Sequence, residues 1–310
     1  MAQARPEEMA VLHTIAYAAL FDYPLTLEQL RESLIGTAAT ESELREWLAT
    51  SPLLRRTIEH RDGFYFPRGR ADMVSIRRRR EAASRALLDR HRRVLAFIAC
   101  LPFVRMVALT GSLAHLNADD DADLDLFVIT RPGRVWLVTV GALVAAKLTG
   151  WRRRLCLNYV ISETALAVTP ADLFSANQII HLQPVTGSDA YRAFLRANPF
   201  VTEHYPNFRP RPVAAPVAAS PIRDRARRAV EAAVDVLVGG LGERACRRAY
   251  RWHLRRGASR WQSRDQVRLD DECLKLHTAS HRAATMERFL RSVHESLDGE
   301  PAPPRLRQAI

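Results

Sequence analysis

Lysine is nearly missing from this chain of 310 residues: of 46 basic residues, all but Lys147 and Lys275 are arginine. The net charge is still +12 and the isoelectric point near 10.3, which suits a polyanionic partner such as nucleic acid or a nucleotide. An arginine skew of this kind can also reflect genomic base composition, so charge alone names no partner. Cysteine is scarce too. Cys100, Cys156, Cys246 and Cys273 lie far apart with no Cys-x-x-Cys pair, so neither a disulfide framework nor a cysteine zinc site is suggested. A signal core is lacking: residues 1–10 carry acids and no apolar run. The longest apolar stretch, 135–146, is too short to span a bilayer. A cytoplasmic protein without membrane contact is expected. Hydrophobic residues reach 47%, ample for packed cores, and the length allows two domains with a helical appendage.

The most informative stretch begins at residue 104. Residues 104–109 form a short apolar run that reads as a buried strand, broken by Gly111-Ser112. Ser112 is positioned to cap a short helix to residue 116. Asn117 to Asp121 is turn chemistry. Asp123 and Asp125 then open a second strand. With a side-chain period of two, both carboxylates project from one face while Leu124, Leu126 and Val128 fill the other.

Two carboxylates at the mouth of an apolar strand repel each other, and burial penalises their charge. A divalent cation removes that penalty, and an all-oxygen environment suits Mg²⁺. Gly111-Ser112 at a helix start offers backbone N–H groups and a hydroxyl to a phosphate. Phosphate cradle plus metal carboxylates is the minimum apparatus for phosphoryl or nucleotidyl transfer. A calcium loop starting at Asp119 is disfavoured, because its sixth and twelfth positions hold Leu124 and Thr130 instead of Gly and Glu.

Gly111-Ser112, a gap of ten residues, then Asp123-x-Asp125 resembles the nucleotidyltransferase domain of the DNA polymerase beta superfamily. The small stand-alone bacterial nucleotidyltransferases are the nearest look, over residues 104–168. The resemblance implies that Gly111 and Ser112 hold a nucleoside triphosphate and that Asp123 and Asp125 bind Mg²⁺. It also implies a third carboxylate on a later strand. The strand expected at 155–161 offers Asn158 and, just past its end, Glu163, but no Asp. Three readings stay open: Glu163 substitutes, the site works with two carboxylates, or catalysis has been lost. Arg131, and Arg152 to Arg154, are candidate phosphate contacts.

Around this core, residues 7–20 show helical spacing, and Thr26 and Thr40 each open a capping box. Residues 53–58 and 64–66 flank Arg61-Asp62-Gly63, a hairpin signal. Three short helices and a hairpin look like a winged helix. Its third helix carries Glu41, Glu43 and Glu46 against Arg45, a poor groove reader, so protein docking is favoured over DNA binding. The Arg77 to Arg80 run, opening a helix to residue 99, reads as a solvated face. Residues 208–221 are rich in proline and alanine, a semi-rigid linker. Residues 223–260 set eleven arginines against four acids, the best nucleic-acid candidate in the chain. His277 and His281, four apart on an expected helix, have no third ligand fixed by the sequence.

The expected fold class is α/β: a mixed-sheet nucleotidyltransferase core with a winged-helix-like N-terminal domain and a helical C-terminal region. The expected divisions are 1–70, a connecting helix 71–99, the core 100–207, the linker 208–221 and a basic helical region 222–310. The expected activity is Mg²⁺-dependent transfer of a nucleoside monophosphate from a nucleoside triphosphate to an acceptor hydroxyl, on nucleic acid or protein. The alternative is a non-catalytic nucleotide-binding regulator or scaffold.

Overall fold

Three side-chain caps set the N-terminal helices. In the computed structural model, which describes residues 4–213, 221–277 and 281–296, the Thr26 and Thr40 hydroxyls accept from the backbone N–H groups of Gln29 and Glu43. They start α2 (Leu27–Glu32) and α3 (Glu41–Thr50), which follow α1 (Pro6–Ala19). Ser51 caps a further helix, α4 (Pro52–Thr57), with proline in its first turn. The expectation of a strand from residue 53 is therefore corrected. The Ser-Pro start turns that segment helical, and the hairpin of β1 (Ile58–Arg61) and β2 (Phe64–Pro67) begins only at Ile58.

The chain then runs through α5 (Asp72–Ala99), β3 (Val104–Leu109), α6 (Gly111–Ala114), β4 (Leu124–Thr130), α7 (Val135–Leu148) and β5 (Leu155–Ser162). Next come α8 (Leu173–Ile180), β6 (Gln183–Thr186), α9 (Ser188–Arg196), α10 (Phe200–His204), α11 (Pro221–Leu237) and α12 (Gly239–Arg256). Two short strands, β7 (Val267–Leu269) and β8 (Cys273–Leu276), precede α13 (Arg282–Ser296). The fold is mixed α/β. Its six-stranded sheet has the order β6-β3-β4-β5-β8-β7, with β4 and β5 parallel and the other pairs antiparallel. The C-terminal region is thus not wholly helical, since β7 and β8 complete the central sheet. Of the proline-rich stretch, residues 214–220 lie outside the described residues.

Alternation along β4 divides the core in two. Leu124, Leu126 and Val128 pack with α5 and α7 through Leu95, Ile98, Trp136 and Ala142. Phe127 and Ile129 face the other side, against Tyr17 of α1, Ile179 of α8, Phe194 of α9 and Phe289 of α13. Asp125 lies on this second face, as the period of two requires.

The arginine-rich helices dock through their few acids. Glu231 of α11 accepts from the Phe103 backbone N–H at 2.7 Å and pairs with Arg105. Glu243 of α12 accepts from the Trp136 and Leu137 N–H groups, both at 2.8 Å, at the otherwise uncapped start of α7. The solvated reading of Arg77 also changes. Arg77 is 4% exposed, its guanidinium stacked 3.7 Å from the Tyr23 ring centre. His277 follows β8 and His281 precedes α13, so they share no helix. No helix among the described residues is long and apolar enough to cross a membrane.

Candidate active site

Between β3 and β4 the chain makes one tight turn of helix. Its cap position is Thr110, with no side-chain cap, and it ends at Ala114, after which Leu116 takes φ 57°. Ser112 is therefore not the cap. It stands exposed inside the turn, its carbonyl accepting from Asn117 N–H at 2.9 Å. Gly111 has φ 67°, and a Cβ built on it would lie 2.7 Å from Oδ2 of Asp125. Only glycine fits there, because any L side chain would meet both the carboxylate and an unfavourable backbone well. Thr110 N–H donates to the Asp125 carbonyl at 3.0 Å, locking the loop to β4.

The loop is braced from the N-terminal region. Tyr23 donates its hydroxyl to the His115 carbonyl at 3.0 Å, and Arg77 donates to the same oxygen at 3.4 Å. The Asn117 amide donates to the Phe21 carbonyl at 2.9 Å, and Ala118 N–H to Ser84 Oγ at 3.0 Å. The His115 and His181 rings pack 4.8 Å apart beneath it. Burial pushes the His115 imidazole down to about 4, with Arg77 and Arg211 adding to the effect. Burial also lowers the His181 imidazole well below its usual value, helped by His115. Burial thus disfavours the charged form of both rings, and Arg77 is the cation of the brace.

Asp123 and Asp125 stand together, the first exposed before β4 and the second half-buried within it. Burial, then the neighbouring Asp123 charge, pushes the Asp125 carboxyl up to about 6. Asn158 donates its amide to Asp125 Oδ1 at 3.3 Å, and Cys156 Sγ lies 3.7 Å from Asp123 Oδ2. Burial foremost, then Asp125 and Asp123, raises the Cys156 thiol to about 11, which keeps it protonated in the metal-free site.

Asn158 shares the Asp125 side with Cys156, as strand alternation requires, and a β-bulge adds Tyr159 to that side. Asp125 pairs with Cys156 but Phe127 with Tyr159, so β5 carries one extra residue against β4. A regular strand would set Asn158 and Val160 on one face. Instead Asn158 and Tyr159 both turn towards the Asp125 side, and Val160 joins the opposite core.

Two expected site residues are not brought here. Glu163 is exposed, and its N–H donates to the Thr130 carbonyl at 2.9 Å, at the far end of β4. Five residues of strand separate that level from Asp125, on the order of 16 Å. Arg131 lies a residue further on and pairs with Asp235, which also holds Arg134. Of the Arg152 to Arg154 run, Arg154 donates to the Asp121 carbonyl at 3.2 Å, close to the acidic turn.

The residues reasoning from sequence missed are the brace, Tyr23 and Arg77, and the lining of a cavity of about 610 Å³ that opens from the site. One signal was available: Lys275, one of only two lysines, lines that cavity. Among the described residues no group of three or more His, Cys, Asp or Glu gathers as a metal site. The oxygen donors at hand are the two carboxylates, with the Asn158 amide beside them. No protein-family model matches the chain, and neither the curated proteins nor the solved structures yield a match.

Proposed function

We propose that the protein is a nucleotidyltransferase of the DNA polymerase beta type, using Mg²⁺ to move a nucleoside monophosphate from a nucleoside triphosphate to an acceptor hydroxyl. The observation that carries this reading is the contact of the Gly111 backbone with Asp125. It joins a glycine turn, fit for phosphate, to a carboxylate pair fit for a cation. The donor chemistry suits Mg²⁺: oxygen atoms only, and a half-buried carboxyl whose charge is disfavoured until a cation offsets it. Asp123 and Asp125 would hold the ion, which when bound supplies charge stabilisation to the reacting phosphate and the leaving pyrophosphate.

The chain's own groups supply position. Ser112 and the Gly111 backbone hold the outer phosphates, and the Tyr23–Arg77 brace fixes the loop that carries them. The acceptor oxygen bonds to the α-phosphorus as the bond to pyrophosphate breaks, and the hydroxyl proton passes to water. Asn158 stands beside the pair where a third carboxylate would be sought. Its amide cannot take that proton but can orient Asp125.

That asparagine also favours a second reading, a nucleotide-binding regulator without turnover. Incubating the pure protein with each labelled nucleoside triphosphate and Mg²⁺ separates the two: released pyrophosphate with a labelled acceptor supports the transferase, and saturable binding without release supports the regulator.

We read the N-terminal helices and hairpin as a winged-helix-like docking module. Its α3 exposes Glu41, Glu43 and Glu46, and Arg45 is tied to Glu41 at 2.6 Å, which leaves little attraction for DNA.

A further inference from the structure

The open side of the site and its inner side differ in chemistry. Ser112 and Asp123 are exposed, so a charged triphosphate reaches them from solvent. Behind them the cavity of about 610 Å³ leads under α1 and α8. Its floor is aromatic: Phe127 and Tyr159 lie 5.0 Å apart on neighbouring strands, and Tyr17 and Phe174 close over them. The Tyr17 hydroxyl is buried with no hydrogen-bond partner among the described residues.

Lys275 stands at the far end. Phe127 pairs with Tyr159 and Tyr159 with Lys275, so the three form one row on the sheet face that Asp125 also occupies. Two strand spacings and two residues along β4 put Lys275 on the order of 12 Å from Asp125, Cα to Cα. Its amine is 5.7 Å from the Tyr159 ring centre and donates to Gln266 Oε1 at 3.5 Å, its one hydrogen bond among the described residues. Asp265, the nearby acid, is held by the other end of that amide at 2.7 Å. No carboxylate among the described residues forms an ion pair with Lys275, whereas Arg282, also on the cavity wall, is paired with Asp172. Asp265 attracts the amine only from a distance, so a half-buried ammonium without a direct ion pair is an electrostatic cost that a ligand anion would offset.

We propose that this cavity is the acceptor site, and that the acceptor is a small molecule with a flat apolar body and an anionic group bound by Lys275. Its hydroxyl, at the end opposite that anion, meets the Asp123–Asp125 pair. The assignment of the hydroxyl rests on the transferase reading; the anion site does not. Burial also lowers the Lys275 pKa, in keeping with an amine held away from water.

Three naphthalene probes of one ring body test the assignment: 2-naphthoate, 2-naphthylmethanol and 2-naphthylmethylammonium, each titrated calorimetrically into the full chain. Naphthoate should bind at a single site at least tenfold more tightly than the other two. Lys275→Met should erase that preference and Lys275→Arg should keep it. The double variant Asp123→Asn with Asp125→Asn should still bind naphthoate. Equal binding of all three probes, or a preference that survives Lys275→Met, overturns the proposal. A naphthoate preference without any nucleoside triphosphate binding keeps the anion site and overturns the transferase reading.

Discussion

Gly111 and Asp125 are in contact through the missing side chain of the glycine: a Cβ at Gly111 would sit 2.7 Å from the carboxylate oxygen Oδ2. The turn that would meet phosphate and the strand that would meet a cation are thereby one unit. Neither can shift without the other, because Thr110 N–H is also bonded to the Asp125 carbonyl.

Gly111→Ala tests this contact. The alanine must adopt φ near 67° and push the carboxylate aside, a combined strain of about 1–3 kcal/mol. Urea unfolding should show that loss, and calorimetry should show nucleoside triphosphate binding weakened at least tenfold. Undiminished binding would detach the loop from the site.

The carboxylate pair sets a second expectation. Folding raises the Asp125 pKa from 3.8 to about 6, so the folded state holds this proton more tightly than the unfolded chain. Metal-free stability should therefore fall as pH rises from about 4 to 6 and stay reduced above that. At pH 8 without divalent ions, Asp125→Asn should raise stability by about 1–2 kcal/mol. With Asp123→Asn added, Mg²⁺-dependent triphosphate binding should vanish while circular dichroism is unchanged. Equal affinity in the double variant, or in excess chelator, would remove these residues from the site.

Asn158 and Glu163 are now separable. Glu163→Gln lies at the far end of β5 and should leave single-turnover transfer within about twofold, since it touches no proposed site group. Asn158→Asp would put a third carboxylate beside the first two. It should lower metal-free stability and, where a general base is the missing element, raise the transfer rate by about tenfold or more. A large loss of rate in Glu163→Gln would contradict the strand geometry described above.

Buried histidines give the opposite pH dependence. His13, His115 and His277 are held down from 6.5 to about 4, chiefly by burial. Their folded-state pKa is depressed, so the stability they contribute is complete above about 6.5 and lost as pH falls towards 4. Replacing one of them, His13→Leu, should flatten the fall by about 1.4 kcal/mol per pH unit within that window. The His13 Nε2 is buried and unpartnered, so the apolar substitution leaves no group wanting a bond. An unchanged acid midpoint would show that His13 titrates in the folded state.

Much of the site was legible locally. Alternation along residues 123–129 assigns Asp125 to one face and Leu124, Leu126 and Val128 to the other, and the structure keeps that division. The Thr26 and Thr40 caps are likewise short-range, three residues from cap to partner, and both form. Such features depend on chain geometry over a few residues, which the order of amino acids already contains. What tertiary structure decided depends on distant pairing. The register of β5 against β4 sets Asn158 beside Asp125 and Glu163 at the far end, and its bulge turns Tyr159 to the Asp125 side. Burial under Tyr23 converts Arg77 from an expected surface charge into a brace for a loop 38 residues away. The strands β7 and β8 are short, and the pairing of β8 with β5 alone sets Lys275 in the row with Tyr159 and Phe127. No local pattern carries that information, because the energy selecting it comes from packing between segments more than a hundred residues apart.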